Sequence, residues 1–193
     1  MITPLKDYFS KDDNSLVRQA RKGDIGAFEE LVARHRDKLF TRAFSIIRNV
    51  EEAIDITQKA WVEGWQGLPG FEGVSSFGEW MMRIVIHLCV DQVRKGKSQA
   101  KCAEEPHEDG SGDNRQVRTV TTNPNRRMAP AELSYRIDQA LGQLSKEHRT
   151  VLVLHELEKM KYKEIARIIG SSVGSVTSKL LYARRKLATL LEG

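Results

Sequence analysis

The sequence predicts an all-α fold of two small helical domains joined by a flexible linker, and three observations carry that reading. Apolar residues recur at helical spacing from Asn14 to about Lys97 and again from Ala131 to the end. No run alternates convincingly with a period of two, so nothing suggests a sheet. From Gly96 to about Pro130 the periodicity vanishes, and Gly, Ser, Asn and Pro become common. So long an unstructured span is unusual inside one compact domain and marks a boundary. The expected parts are an N-terminal tail (1–13), a first domain (14–96), a linker (97–130) and a second domain (131–193).

In the first domain, a helix is expected from Ser15 to Lys22, stopped by Gly23, with Asp24 capping the next. That second helix aligns Phe28, Leu31, Val32, His35, Leu39 and Phe40 near one stripe, an apolar face for the core. Asn49 breaks the pattern, and a third helix runs from about Glu51 to Gln66. Gly67, Pro69, Gly70 and Gly73 mark a loop. A fourth helix runs from near Ser76 to about Lys95, with Trp80, Ile84 and Leu88 on its apolar face. The linker carries an acidic block (Glu104, Glu105, Glu108, Asp109, Asp113) and then a basic one (Arg115, Arg118, Arg126, Arg127). The second domain opens on a stripe of Leu133, Ile137, Ala140 and Leu141. Ser145 then caps a helix holding Val151, Leu152 and Leu154, and two more helices follow.

Those last two helices carry the sharpest signal, a helix-turn-helix. Ala166 is small where crossing helices approach closely. Gly170 sits four residues on, where the chain turns and tolerates a positive φ. Val176 lies six beyond, on the inner face of the second helix, and Ile165 and Ile169 fill the space between. Ser172 suits an N-cap. Short polar residues (Ser175, Thr177, Ser178) open the second helix, where base edges would be reached. The cations Lys179, Arg184 and Arg185 follow, where phosphates would be met. The plain alternative is a helical hairpin with a solvated basic face. Agreement between packing residues and polar face favours DNA recognition.

Two features of the first domain point to partners. Asp55 and Gln58 share a face of the third helix, and Trp61 and Trp65 share a neighbouring one. The tryptophans suit a core or a partner interface. The loop Leu68–Phe77 leads into Trp80 and mixes Phe71 and Phe77 with Ser75 and Ser76. Such residues hold an unstacked base between rings and hydroxyls, or they staple a helix entry. Arg83, His87 and Arg94 then follow at helical spacing, a stripe able to track a DNA backbone or simply to face water.

Composition narrows the classes. The chain has 193 residues and a net charge of +5. That excess attracts phosphate only modestly, and would suit a membrane surface or acidic partners as well. Neither cysteine, Cys89 or Cys102, belongs to a CxxC, and the histidines are scattered, so no metal or other cofactor is expected. Cys89, within a helix, reads as a small buried hydrophobe. No nucleophile with its base and no convergent carboxylates appear, so no catalytic residues are assigned. The N-terminus has no apolar run fit for a signal peptide, and the expected compartment is the cytoplasm.

Taken in order, four pieces resemble the extracytoplasmic-function (ECF) subfamily of the sigma-70 family of bacterial RNA polymerase sigma factors. They are Gly23-Asp24 followed by Ala27-Phe28, Asp55-Ile56-Thr57-Gln58, Trp80-x-x-Arg83-Ile84 through Asp91, and Tyr162-x-Glu164-Ile165-Ala166 through Arg184. The resemblance implies a sigma-2 domain, a linker and a sigma-4 domain. It implies that Asp55, Gln58 and Trp61 dock core RNA polymerase at the β′ clamp helices, with the β flap as a second contact. It implies a −10 element pocket of Phe71, Ser75, Ser76, Phe77 and Trp80, with Arg83, His87 and Arg94 helping to melt or read that element. It also implies a −35 element surface of Ser172, Ser175, Thr177, Ser178, Lys179, Tyr182, Arg184 and Arg185. Packing of the helix-turn-helix falls to Ile165, Ala166, Gly170 and Val176. Promoter DNA and an anti-sigma factor are the other implied partners, with no small-molecule substrate. Lys59 departs from a residue frequent in the family, which alters the docking electrostatics; His87, Thr177, Lys179 and Tyr182 depart as well, so the promoter sequence need not match that of relatives. The rival is a dimeric helix-turn-helix regulator binding a palindrome. The absence of an obvious dimer helix and the face bearing Asp55 and Gln58 count against it.

Overall fold

The computed structural model describes residues 7–103 and 130–192, with side chains described for 7–96 and 132–191. The described elements are α-helices and one short 3-10 turn. They are α1 (Asp13–Ala20), α2 (Ile25–Ile47), α3 (Val50–Gly67), the turn Leu68–Gly70, α4 (Phe77–Ala103), α5 (Pro130–Gly142), α6 (Lys146–Glu156), α7 (Tyr162–Ile169) and α8 (Val173–Glu192). The chain divides into two compact units, Met1–Cys89 and Val90–Gly193. The acidic and basic blocks expected in the linker lie outside the described residues, as does the side chain of Cys102. Among the described residues, no helix is long and apolar enough to cross a membrane.

Local chemistry sets the helix boundaries of the first unit. Gly23 takes φ +88°, and the Asp24 carboxylate accepts from the backbone N–H of Ala27 to open α2. The break after α2 falls at Arg48, which is left-handed at φ 60°. Asn49 caps α3 instead, its side chain accepting from Glu52 N at 3.0 Å. Ser76 and Glu79 form a reciprocal capping box at the start of α4: Ser76 Oγ accepts from Glu79 N, and Glu79 Oε2 accepts from Ser76 N. Those bonds to Ser76 hold the Glu79 carboxyl below the ordinary carboxylate range.

Burial follows the amphipathic stripes. α2 packs against α1 and α3, burying Leu16, Leu31, Leu39, Ile46, Ile47, Ile56 and Ala60. Gly64 of α3 lets α4 approach: a Cβ there would sit 2.5 Å from Met81 Sδ. Gly78 does the same for the His35 ring, which is also tied to Asp13 by a 2.7 Å contact from Nε2 to Oδ2. Residues 7–12, expected within a tail, are docked on α2. Arg34 donates to the carbonyls of Tyr8, Phe9 and Lys11 and pairs with Asp13 and Glu30.

Three expectations are corrected. α4 does not end near Lys95; it continues through Gly96 to Ala103, since one glycine costs a helix only about 1 kcal/mol. Its buried face is Phe77, Met81, Met82, Val85, Ile86, Cys89 and Val90, while Trp80, Ile84 and Leu88 lie half-buried at the edge. The buried sector of α4 is therefore rotated from the expected stripe. In α5, Leu133 and Ile137 are exposed, and burial begins only at Ala140 and continues at Leu144 beyond its end.

In the second unit, α6 and α5 both pack on α8. Ser145 accepts from His148 N to cap α6, whose residues 149–154 are all buried. Arg149 is buried and donates to the carbonyls of Leu141 and Leu144, so a cation meets the negative end of α5.

Cys89 is fully buried, and burial pushes its thiol up to about 12. A thiolate is the reactive form, so the folded chain should leave Cys89 unalkylated by iodoacetamide at pH 7.5. Peptide mass mapping checks this: an adduct should appear at Cys89 only after unfolding in guanidinium, and rapid native labelling would contradict the assignment.

Candidate functional site

Three surfaces carry the candidate residues: the outer face of α3, the loop with α4, and the helix-turn-helix. The first is the outer face of α3. Its inner face, Ala53, Ile56, Thr57, Ala60 and Gly64, is buried. Asp55 and Gln58 are both exposed on the opposite side. Beside them stand Ile54 and Val62, exposed at 41% and 57%, and Trp65 at 37%. The two tryptophans divide their roles. Both meet the edge of Phe28, Trp61 at 6.0 Å and Trp65 at 4.9 Å between centroids, yet neither is fully covered. Apolar area left open beside a carboxylate and an amide is the composition of a protein-binding face. Ile54 and Val62 were missed in the sequence because a residue type does not say which side of a helix is covered.

The second surface is the loop Phe71–Ser76 and the start of α4. Phe71 and Phe77, expected as pocket walls, are buried at 6% and 1% exposure. Each is fixed by aromatic edges: Phe77 meets Phe28, Phe71, Trp80 and His35, and Phe71 lies 5.0 Å from Trp80. They form the floor under the loop and are not open to stack a base. The residues left at the surface are Glu72, Gly73, Val74, Ser75, Ser76 and part of Trp80. Gly73 takes φ +75°, which turns the loop tip outward and leaves Val74 91% exposed. Along α4, Arg83, His87 and Arg94 are exposed as expected, and Arg94 has Asp91 as a neighbour at 3.6 Å.

The third surface is the helix-turn-helix. Ile165, Ala166 and Val176 are buried, joined by Leu180 and Ala183, and Gly170 ends α7 in the left-handed region at φ 66°. Glu164 accepts from Lys161 N at 2.8 Å to fix the start of α7. Ser172 Oγ accepts from Ser175 N at 3.1 Å to cap α8. Thr177, Ser178, Tyr182 and Arg185 are exposed, while Ser175 is half-buried. Tyr182 is steadied by the His148 ring, 4.4 Å away between centroids. Burial, followed by the charges of Lys179 and Lys186, lowers the His148 pKa, which favours a neutral ring beside Tyr182. Leu181, exposed at 50% on the same outer ridge, was not singled out in the sequence.

The cations depart from expectation. Lys179 Nζ is paired with Glu147, and Arg184 with Glu156, whose Oε1 accepts from Arg184 Nε at 2.9 Å. His155 joins the second pair, its Nδ1 lying 3.3 Å from Arg184 Nη2. Arg184 holds the Glu156 carboxyl below its ordinary range, and Glu156 in turn raises the Arg184 guanidinium. These heads are occupied by carboxylates 28 to 32 residues away in sequence, partners that no local pattern announces.

Comparison with known proteins matches these surfaces to one family. The sigma-70 region 2 model matches residues 31–99, which carry α3, the loop and most of α4. The sigma-70 region 4 model matches residues 134–187, which carry the helix-turn-helix. The ECF RNA polymerase sigma factor SigW of Bacillus subtilis (strain 168) is 30% identical over 172 residues, covering 89% of this chain and 92% of the relative. The chain belongs to the ECF sigma factors. The ECF sigma-E factor of Escherichia coli (strain K12) is 27% identical over 180 residues, covering 91% of this chain and 92% of that one. Among solved structures, CnrH in complex with the cytosolic domain of CnrY matches with a TM-score of 0.53 and 28% identity, covering 93% of this chain and 97% of that one. The function of this sigma factor is transcription initiation, and its region 4 is a DNA-binding helix-turn-helix.

Proposed function

We propose that this ECF sigma factor works as a non-catalytic specificity subunit in the cytoplasm, holding two promoter elements at once while mounted on core RNA polymerase. A sigma-2 domain (14–96) docks the polymerase and reads the −10 element. A linker following α4 connects it to a sigma-4 domain (131–193) that reads the −35 element. The observation that carries this reading is the outer face of α3, where Ile54, Val62 and Trp65 stay open beside Asp55 and Gln58, opposite the buried face of Ala53, Ile56, Thr57, Ala60 and Gly64. A face of that composition stabilises a complex only when covered. The proposed cover is the β′ clamp helices, with the β flap engaged elsewhere.

At the −10 element, the base pocket is proposed to be lined by Ser75, Ser76, Trp80 and the loop tip at Val74. Phe71 and Phe77 set the shape of that loop from below. Arg83, His87 and Arg94 are proposed to follow the DNA backbone as the strands part. Flipping one base costs a few kcal/mol, which the loop pocket offsets. At the −35 element, α8 is proposed to lie in the major groove. Each half binds weakly alone, and the polymerase raises their effective concentration by fixing their spacing. An anti-sigma factor is proposed to cover the polymerase-binding face until a signal releases it; the neighbour CnrH is seen bound to the cytosolic domain of CnrY.

Run-off transcription with purified core polymerase tests the proposal. Promoter-specific transcripts should depend on this chain. Tight, polymerase-independent binding to a palindromic site with no gain in transcription would overturn it in favour of a dimeric regulator.

A further inference from the structure

We propose that Glu147 and Glu156 are resident competitors for DNA phosphate on the recognition helix, holding Lys179 and Arg184 until the upstream promoter element displaces them. The two carboxylates thereby set how tightly, and with what salt dependence, that element is bound. This rests on the reading of α8 as the helix that meets the −35 element.

The placement of the ion pairs carries the argument. Val176, Leu180 and Ala183 form the buried stripe of α8. At 3.6 residues per turn, Lys179 and Arg184 fall on opposite flanks of that stripe, each about 70° from its centre. Each flank is met by a carboxylate of α6, Glu147 near its start and Glu156 as its last residue. The outer ridge of Ser178, Leu181, Tyr182 and Arg185 is left exposed.

When a helix lies in the major groove, its ridge meets base edges and its flanks face the two phosphate backbones. Lys179 and Arg184 therefore each have a carboxylate behind and a phosphate in front. Glu156 also breaks a local rule. An acid in the last turn opposes the helix dipole, a liability that its pairing with Arg184 offsets. Both consequences of such an acid act in one direction. It occupies a cation that phosphate needs, and it repels phosphate itself. Neutralising it should strengthen DNA binding even though an internal ion pair is lost.

The test uses holoenzyme reconstituted from the full chain and core polymerase, on a promoter selected from a random library by the wild-type holoenzyme. Glu156→Gln should raise promoter affinity about threefold to tenfold at physiological salt. It should also steepen the dependence of log K on log salt by up to about 0.9, the value of one released phosphate contact. Glu147→Gln should do the same through the other flank. Adding Arg184→Ala to Glu156→Gln should abolish the gain. Glu29→Gln, removing an equal charge on α2, should change affinity far less. Weaker binding by both glutamine variants would overturn the proposal and make the carboxylates braces for α8. If Arg184→Ala alone weakens binding while Glu156→Gln changes nothing, the competition fails but the −35 reading stands. A wild-type holoenzyme that selects no promoter would overturn both.

Discussion

Phe77→Ala should destabilise the first unit by about 3–5 kcal/mol, the usual cost of truncating a fully buried aromatic ring. Phe77 is 1% exposed and touches ring edges from α2, the loop and α4 at once: Phe28, His35, Phe71 and Trp80. Each such contact adds about 0.5–1.5 kcal/mol beyond area burial. Its loss would therefore loosen the packing that fixes the loop as well as open a cavity. Thermal unfolding followed by circular dichroism reads the effect, at about 4–8 °C per kcal/mol for a unit of this size. Val74→Ala is the matched contrast. Val74 is 91% exposed with nothing to pack on, so its loss should move stability by no more than about 0.5 kcal/mol while impairing promoter opening. If Phe77→Ala left the melting curve in place and lost only promoter opening, Phe77 would be a base-stacking residue and the core assignment would fail.

This pair of variants also marks where sequence reading stops. Phe71, Ser75, Ser76 and Phe77 are the right residue types for a base pocket and equally for a stapled helix entry. Only burial separates the two, and burial depends on Phe28 and His35, some 40 residues earlier. Features governed by local chemistry were legible. Asp24 capping α2, Gly170 turning left-handed after α7 and Ser172 capping α8 each follow from a few adjacent residues. The packing set Ile165, Ala166 and Val176 follows from their spacing alone. Periodicity at Leu133 and Ile137 marks a face of α5 but cannot say how far α8 covers it; full burial is reached only at Ala140. Gly96, where periodicity fades in the sequence, is absorbed by α4. The ion pairs that occupy Lys179 and Arg184 are tertiary facts, invisible to any window along the chain.

The α3 face should give the largest functional effect. Val62→Glu places an unpaired carboxylate in the middle of an open apolar patch, between Trp65 and Gln58. A charge without a partner is costly once water is excluded. Interface centres of this kind lose about 2 kcal/mol or more on disruption, so association with core polymerase should fall by about thirtyfold or more. Val62 is 57% exposed and on the side of α3 away from its buried residues, so helical content and melting temperature should hardly change. Asp55→Ala combined with Gln58→Ala should weaken association as well, by removing the polar anchors that fix register on the partner. Competition against labelled wild-type chain for a limiting amount of core polymerase measures both variants. The decisive comparison is between faces: Ser178→Ala on the ridge of α8 should compete for polymerase as well as wild type, whereas Val62→Glu should not. Equal competition by Val62→Glu would remove α3 from the polymerase interface, because desolvating a carboxylate at a contact centre costs binding.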